Sequence, residues 1–82
     1  MAGEERDRLR ARLRDLLIEA RGRADLTQTG LAKRLGRPQS FVSNYESGQR
    51  RIEVAEIILI ARALGEEPVE MLRRVGREGV SN

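Results

Sequence analysis

The fold of this chain is decided by residues 26–48, LTQTGLAKRLGRPQSFVSNYESG. Two short helical patterns flank a Gly36-Arg37-Pro38 break. In the first, Thr27 is a good N-cap, because its hydroxyl can accept a bond from an amide two or three residues on. Leu31, Ala32 and Leu35 fall on one face of that helix. Gly36 supplies the freedom a helix end needs. Pro38 fits the first turn of the next helix, where its missing N–H costs nothing. In the second pattern, residues 39–46, Val42 and Tyr45 turn inward, and Gln39, Ser40, Ser43 and Asn44 are left outside. The spacing predicts a helix-turn-helix, with Ala32 small because a larger side chain would overpack the crossing. The second helix is too short to be stable alone. Its neighbours must hold it, which turns its polar face into a presented surface.

The flanking sequence predicts what holds it. A helix over about residues 5–23 carries Leu9, Leu13, Leu16, Leu17 and Ala20 in one stripe that reaches Ala24. Arg6, Arg10 and Arg14 form a second stripe, and Arg8 and Arg12 lie on another side. These read as a solvated face with local pairs such as Asp7 with Arg10, the alternative being a DNA-contacting arm. After a loop at 47–51, a helix over 53–64 places Val54, Ile57, Ile58, Ala61 and Leu64 on its core stripe. Leu59 and Ile60 fall outside that stripe, so the helix is buried on more than one side or leaves apolar surface for a partner. Gly65 ends it. Pro68 opens a fifth helix to about residue 74, with Val69, Leu72 and Val75 packing. The expected architecture is all-α: a compact five-helix domain over 1–75 and a flexible C-terminal tail over 76–82.

Composition narrows the function. A chain of 82 residues supports one domain that buries roughly 60% of its unfolded surface. There is no cysteine and no histidine, which removes disulfides, thiolate metal sites, the usual general base and the commonest metal ligand. No metal, cofactor or catalytic residue is expected, and the chain is not read as an enzyme. No apolar run approaches the ~20 residues of a membrane helix, and the N-terminus lacks the apolar stretch of a signal peptide. A cytoplasmic protein with no membrane partner is the default expectation. Net charge is +3, and Lys33 is the single lysine among sixteen basic residues. Arginine forks suit phosphate, but a charge of that size leaves its distribution to carry the argument.

Reading a DNA groove needs side chains that both donate and accept, near the start of a helix able to enter it. Gln39 fits best, since its amide can pair with adenine N6 and N7. Ser40 and Ser43 are short and favour close approach, and Asn44 can reach a base edge or a phosphate. Phosphate contacts set register and most of the affinity. The candidates are Gln28 at a helix N-terminus, Arg50 and Arg51 in the following loop, and Thr27, Arg37, Ser47 and Gln49.

Thr27-Gln28, Leu31-Ala32, Leu35-Gly36, Gln39-Ser40, Val42-Ser43, Glu46-Ser47-Gly48 and Ala63-Leu64-Gly65 resemble the XRE-like repressor family that includes phage Cro and lambda-type repressors. The resemblance spans about residues 9–65. It implies base contacts from Gln39, Ser40 and Asn44, and a Gln28 that bonds both a phosphate and Gln39. It also implies a partly buried ion pair between Arg21 and Glu46. The sequence departs from the family at Gly30, at Pro38 in place of a Ser or Thr cap, and at bulky Phe41 and Tyr45. Phe41 is expected half-buried and within reach of a thymine methyl.

The leading expectation is a sequence-specific double-stranded-DNA-binding regulator, a repressor, acting as a homodimer on a two-fold symmetric operator. Leu59, Ile60, Val69, Met71 and Val75 are the dimer candidates. The alternatives are an antitoxin-type autorepressor with a protein partner, or a protein-interaction adaptor on the same fold.

Overall fold

The computed structural model describes residues 2–79, in five helices: α1 (Ala2–Arg23), α2 (Gln28–Leu35), α3 (Gln39–Ser47), α4 (Val54–Ala63) and α5 (Pro68–Glu78). α2 packs mainly on α3, α1 lies against α3 and α5, and α4 closes against α2 and α5. The core at their meeting point includes Leu16, Leu17, Ala20, Leu31, Val42, Tyr45, Ile60 and Ala61. Aliphatic side chains thus carry most of the packing, as the scarcity of aromatics requires. Among the described residues no helix is long and apolar enough to cross a membrane.

The helix ends follow local chemistry. Thr27 Oγ1 accepts the Gly30 N–H at 2.9 Å, the expected N-cap bond. Gly36 closes α2 in the left-handed region at φ 65°, its N–H returning to Lys33 O. α1 ends differently. Asp25 takes the left-handed position at φ 57°, with Leu26 N–H bonded to Arg21 O and Asp25 N–H to Gly22 O. That is a Schellman closure without glycine. Arg34 NH1 donates to Ala63 O at 3.0 Å, tying α2 to the C-terminal end of α4, where a cation is favoured.

Several expectations are corrected. Pro38 is the N-cap of α3, at ψ 152°, and not its first helical residue; its carbonyl accepts the Phe41 N–H. On α4 and at its C-cap the buried apolar residues are Ile57, Ile60, Ala61 and Leu64, at helical spacing, while Val54 is 68% exposed. The stripe therefore starts three residues later than expected and takes in Ile60. Ile60, Met71 and Val75 are core and unavailable to a second copy. Leu59 and Val69, together with Leu72, stand exposed. α5 runs past residue 74 to Glu78, because Arg12 of α1 pairs with Glu78 and Gly79 lies against Leu9. Residues 76–78, expected in the tail, are thus helical, and Gly79 is buried; 80–82 lie outside the described residues.

Candidate nucleic-acid interface

α3 buries Phe41, Val42 and Tyr45, which leaves Ser40, Ser43, Asn44 and Ser47 on the opposite stripe with Gln39 at its N-terminal end. Gln39 and Ser40 are exposed, and Ser43 and Asn44 half-buried. The two outer hydroxyls are tied locally: Ser43 donates to Ser40 O at 3.3 Å, and Ser47 to Asn44 O at 3.1 Å. Each hydroxyl oxygen keeps its accepting capacity.

Behind Gln39 runs a relay of charged and amide groups. Arg21 forks onto Glu46, Nε to Oε2 at 2.7 Å and NH2 to Oε1 at 3.0 Å, and its NH1 donates to Leu26 O at 2.8 Å. Gln28 Nε2 donates to Glu46 Oε1 at 2.8 Å, and Gln39 Nε2 donates to Gln28 Oε1 at 2.8 Å. The Glu46 side chain is only 7% exposed. The hydrogen bond that Arg21 donates to Glu46 raises the guanidinium pKa above its ordinary value.

The relay has a direction. Arginine only donates and a carboxylate only accepts. Gln28 must therefore turn its NH2 toward Glu46 and its oxygen toward Gln39. Gln39 must answer with its NH2, so its Oε1 and second N–H remain uncommitted. That pair is what adenine N6 and N7 require. The Arg21–Glu46 pair and the Gln28–Gln39 bond, both implied by the family resemblance, are thus one chain of bonds through α1, α2 and α3.

The basic candidates divide. Arg50 donates from NH1 and NH2 to the two oxygens of Glu56, each at 2.8 Å, and from NH1 to Arg51 O. Arg37 lies 3.5 Å from Glu56 Oε2. Their guanidiniums flank Phe41, Arg37 at 4.0 Å and Arg50 at 4.8 Å from the ring centroid, within cation–π range. Both arginines thus take part in a cluster around Phe41 and Glu56, while their side chains stay partly exposed. Ser47 at the end of α3, and Gln49 and Arg51 in the loop after it, stay exposed. Thr27 is exposed, but its hydroxyl caps α2; Gln28 is half-buried, with one amide N–H uncommitted.

Phe41 is 6% exposed and meets Tyr45 edge-on at 5.5 Å. It is covered by arginine, which corrects the half-buried expectation and removes it from reach of a thymine methyl. Tyr45 is fully buried, and burial pushes its hydroxyl pKa up.

Glu56 was not singled out by the sequence reading, yet it organises this cluster. It is 8% exposed, sits in the first turn of α4, and accepts the Glu53 N–H at 3.1 Å. The spacing of the two glutamates is that of a capping box, which is the signal that could have revealed it.

Comparison with known proteins agrees with this geometry. The helix-turn-helix family model matches residues 17–71, from the second half of α1 into α5. No curated protein sequence matches the chain. Among solved structures, the chain is similar to an XRE-family like protein from Pseudomonas syringae pv. tomato: 45% identical, over 89% of this chain and 88% of that one, with a TM-score of 0.82. A fold of this type suggests a DNA-binding transcription regulator. The chain belongs to the XRE-type helix-turn-helix family.

Proposed function

We propose that this chain is a sequence-specific double-stranded-DNA-binding transcriptional repressor that reads the major groove with α3. The observation that carries this reading is the relay from Arg21 through Glu46 and Gln28 to Gln39. It fixes the orientation of one exposed amide and leaves a donor and an acceptor of that amide uncommitted. A residue that merely decorated a helix start would need no such support. Ser40, Ser43 and Asn44 supply the rest of the base-facing surface. Gln28, Thr27, Ser47, Gln49 and Arg51 supply phosphate contacts that set register. Arg37 and Arg50 act chiefly by holding Phe41 and Glu56.

One head contacts only a few base pairs, so we read the working unit as a homodimer with half-sites ~34 Å apart. Leu59 and Val69 are the dimer candidates that remain exposed. The same reading places the protein in the cytoplasm with its DNA, without catalytic activity.

Selection of bound sequences from a random duplex pool tests the proposal. The expected product is a two-fold symmetric motif, and Gln39→Ala relaxes the preference at one position in each half-site. A pool without sequence preference after selection overturns the reading.

A further inference from the structure

Between α1 and the loop that follows α3 lies an open groove of about 340 Å³. Its polar wall is Asp7, Arg10, Arg14, Arg50 and Arg51, with Gly48 on the loop side. The four cations are not equally available. Arg50 is bound to Glu56. Arg10 faces Asp7 at 3.9 Å. Arg14 and Arg51 have no carboxylate within ion-pair distance among the described residues. The charge left uncompensated in the groove is therefore that of Arg14 and Arg51.

The backbone builds this groove. Gly48 takes a left-handed turn at φ 85° at the C-terminal end of α3. The Arg14 guanidinium lies directly over it: a β-carbon at Gly48 would stand 3.2 Å from Arg14 Cζ. Glycine thus serves both the turn and the approach of the arginine. A guanidinium brought within van der Waals distance of bare backbone, with no acceptor of its own, still has its donors unspent.

We propose that this groove seats a backbone phosphate of duplex DNA, with Arg14 of α1 and Arg51 of the loop as its donors. The inference rests on the DNA-binding reading above and extends it to a helix that reading did not use. The position argues for DNA as the source of the phosphate. The groove opens at the end of α3, one residue beyond Ser47. A duplex engaged by Gln39, Ser40 and Asn44 therefore brings its flanking strand past this end of the helix. The α1 arginines, read from the sequence as a solvated face or a DNA-contacting arm, then divide: Arg14 faces the phosphate and Arg8 faces solvent.

Fluorescence anisotropy of a labelled duplex, titrated with the full chain at several salt concentrations, tests this. Each phosphate neutralised contributes about 0.9 to the log–log salt slope. Arg14→Gln should lower the slope by about that amount and weaken binding to all sequences alike. Arg14→Lys should restore the slope, and Arg8→Gln should leave it unchanged. Arg51→Gln, a change at an exposed loop residue, should lower the slope likewise, and it carries the test if Arg14→Gln loses its melting transition.

An unchanged slope in both glutamine variants, with wild type still bound and Gln39→Ala still altering preference, overturns this inference and leaves the DNA reading intact. No duplex binding by wild type overturns both. If inorganic phosphate shifts the Gly48 amide resonance while the DNA slope is unmoved in Arg14→Gln, the groove takes a free anion and the DNA assignment falls.

Discussion

Arg50 lies across the carboxylate of Glu56, NH1 on one oxygen and NH2 on the other, both at 2.8 Å. Arg50 is in the loop after α3 and Glu56 in the first turn of α4, so the pair fixes where α3 ends relative to its support. Phe41 extends the joint, since the same guanidinium stands over its ring. Glu56 is nearly buried, and a buried carboxylate deprived of its partner costs more than the pair contributes over a neutral substitute. Arg50→Ala should therefore lower the melting temperature by roughly 5–15 °C, with DNA affinity falling alongside it. Arg51→Ala, one residue on and exposed, should leave the melting temperature within about 2 °C. Circular-dichroism melts of the two variants decide between a structural Arg50 and a phosphate-contacting one; equal melting temperatures would return Arg50 to the DNA.

The same pair predicts an acid limb. Hydrogen bonding from Arg50 is the largest cause holding the Glu56 carboxyl down at about 2, against an ordinary value of 4.5. Glu78 is also held low, by its hydrogen bond from Arg12. A carboxyl whose folded pKa is depressed stabilises the fold above its unfolded pKa, and that stability is lost as pH falls toward the folded value. Resistance to urea should be flat from neutral pH to about 5, then fall between about 4.5 and 2. Glu56→Gln should be less stable at pH 7 and show a shallower acid limb. An acid limb of the same depth in wild type and Glu56→Gln would place the titrating group elsewhere.

Much of this was legible in residues 26–48. Thr27, Gly36 and the inward Leu31, Ala32, Val42 and Tyr45 each follow from a local rule of capping or helical spacing, and the structure places them accordingly. What escaped the sequence depends on tertiary partners. Four consecutive apolar residues, Ile57 to Ile60, fit more than one stripe, and only packing against α2 and α5 decides that Ile60 is inside and Val54 outside. The end of α5 is set by Arg12, sixty-six residues away. At the candidate interface, the outward polar residues of α3 and the Arg21–Glu46 ion pair follow from the sequence and its family resemblance. The pairing of Arg37 and Arg50 with Glu56 does not, because an arginine near a helix end reads the same whether it faces a phosphate or a buried glutamate.

The relay behind Gln39 predicts a separation of stability from specificity. Arg21→Ala leaves Glu46 without its fork and Leu26 O without its donor, so melting temperature and binding should fall together. Glu46→Gln is gentler in shape but leaves one accepting oxygen where the carboxylate has two, so it cannot serve the whole Arg21 fork and hold Gln28 as well. Gln28 is then free to turn over, and Gln39 loses its fixed orientation. Discrimination at the Gln39 base position should shrink by about 1–3 kcal/mol, the worth of one bidentate contact. Competition binding with single-base operator variants measures it. Discrimination that survives intact in Glu46→Gln would show that Gln39 is oriented without the relay.

Asp25 offers a stabilising substitution. It closes α1 at φ 57°, a conformation that costs an L-residue about 1–2 kcal/mol, though aspartate tolerates it better than most. It is exposed, and it sets a negative charge near the C-terminal end of a long helix, where the dipole disfavours it. Asp25→Gly removes the steric cost and the charge, against an unfolded-state entropy penalty of about 0.5–1 kcal/mol. The first two effects outweigh the third by about 0.5 kcal/mol, so the melting temperature should rise by roughly 2–4 °C. Asp25→Val keeps the strain and adds a branched β-carbon, so it should melt below wild type. The turn also positions Leu26 O for Arg21, and the glycine variant should keep its DNA affinity because that closure is preserved. A glycine variant that melts below wild type would mean the Asp25 side chain contributes more to the α1–α2 turn than its backbone angle costs.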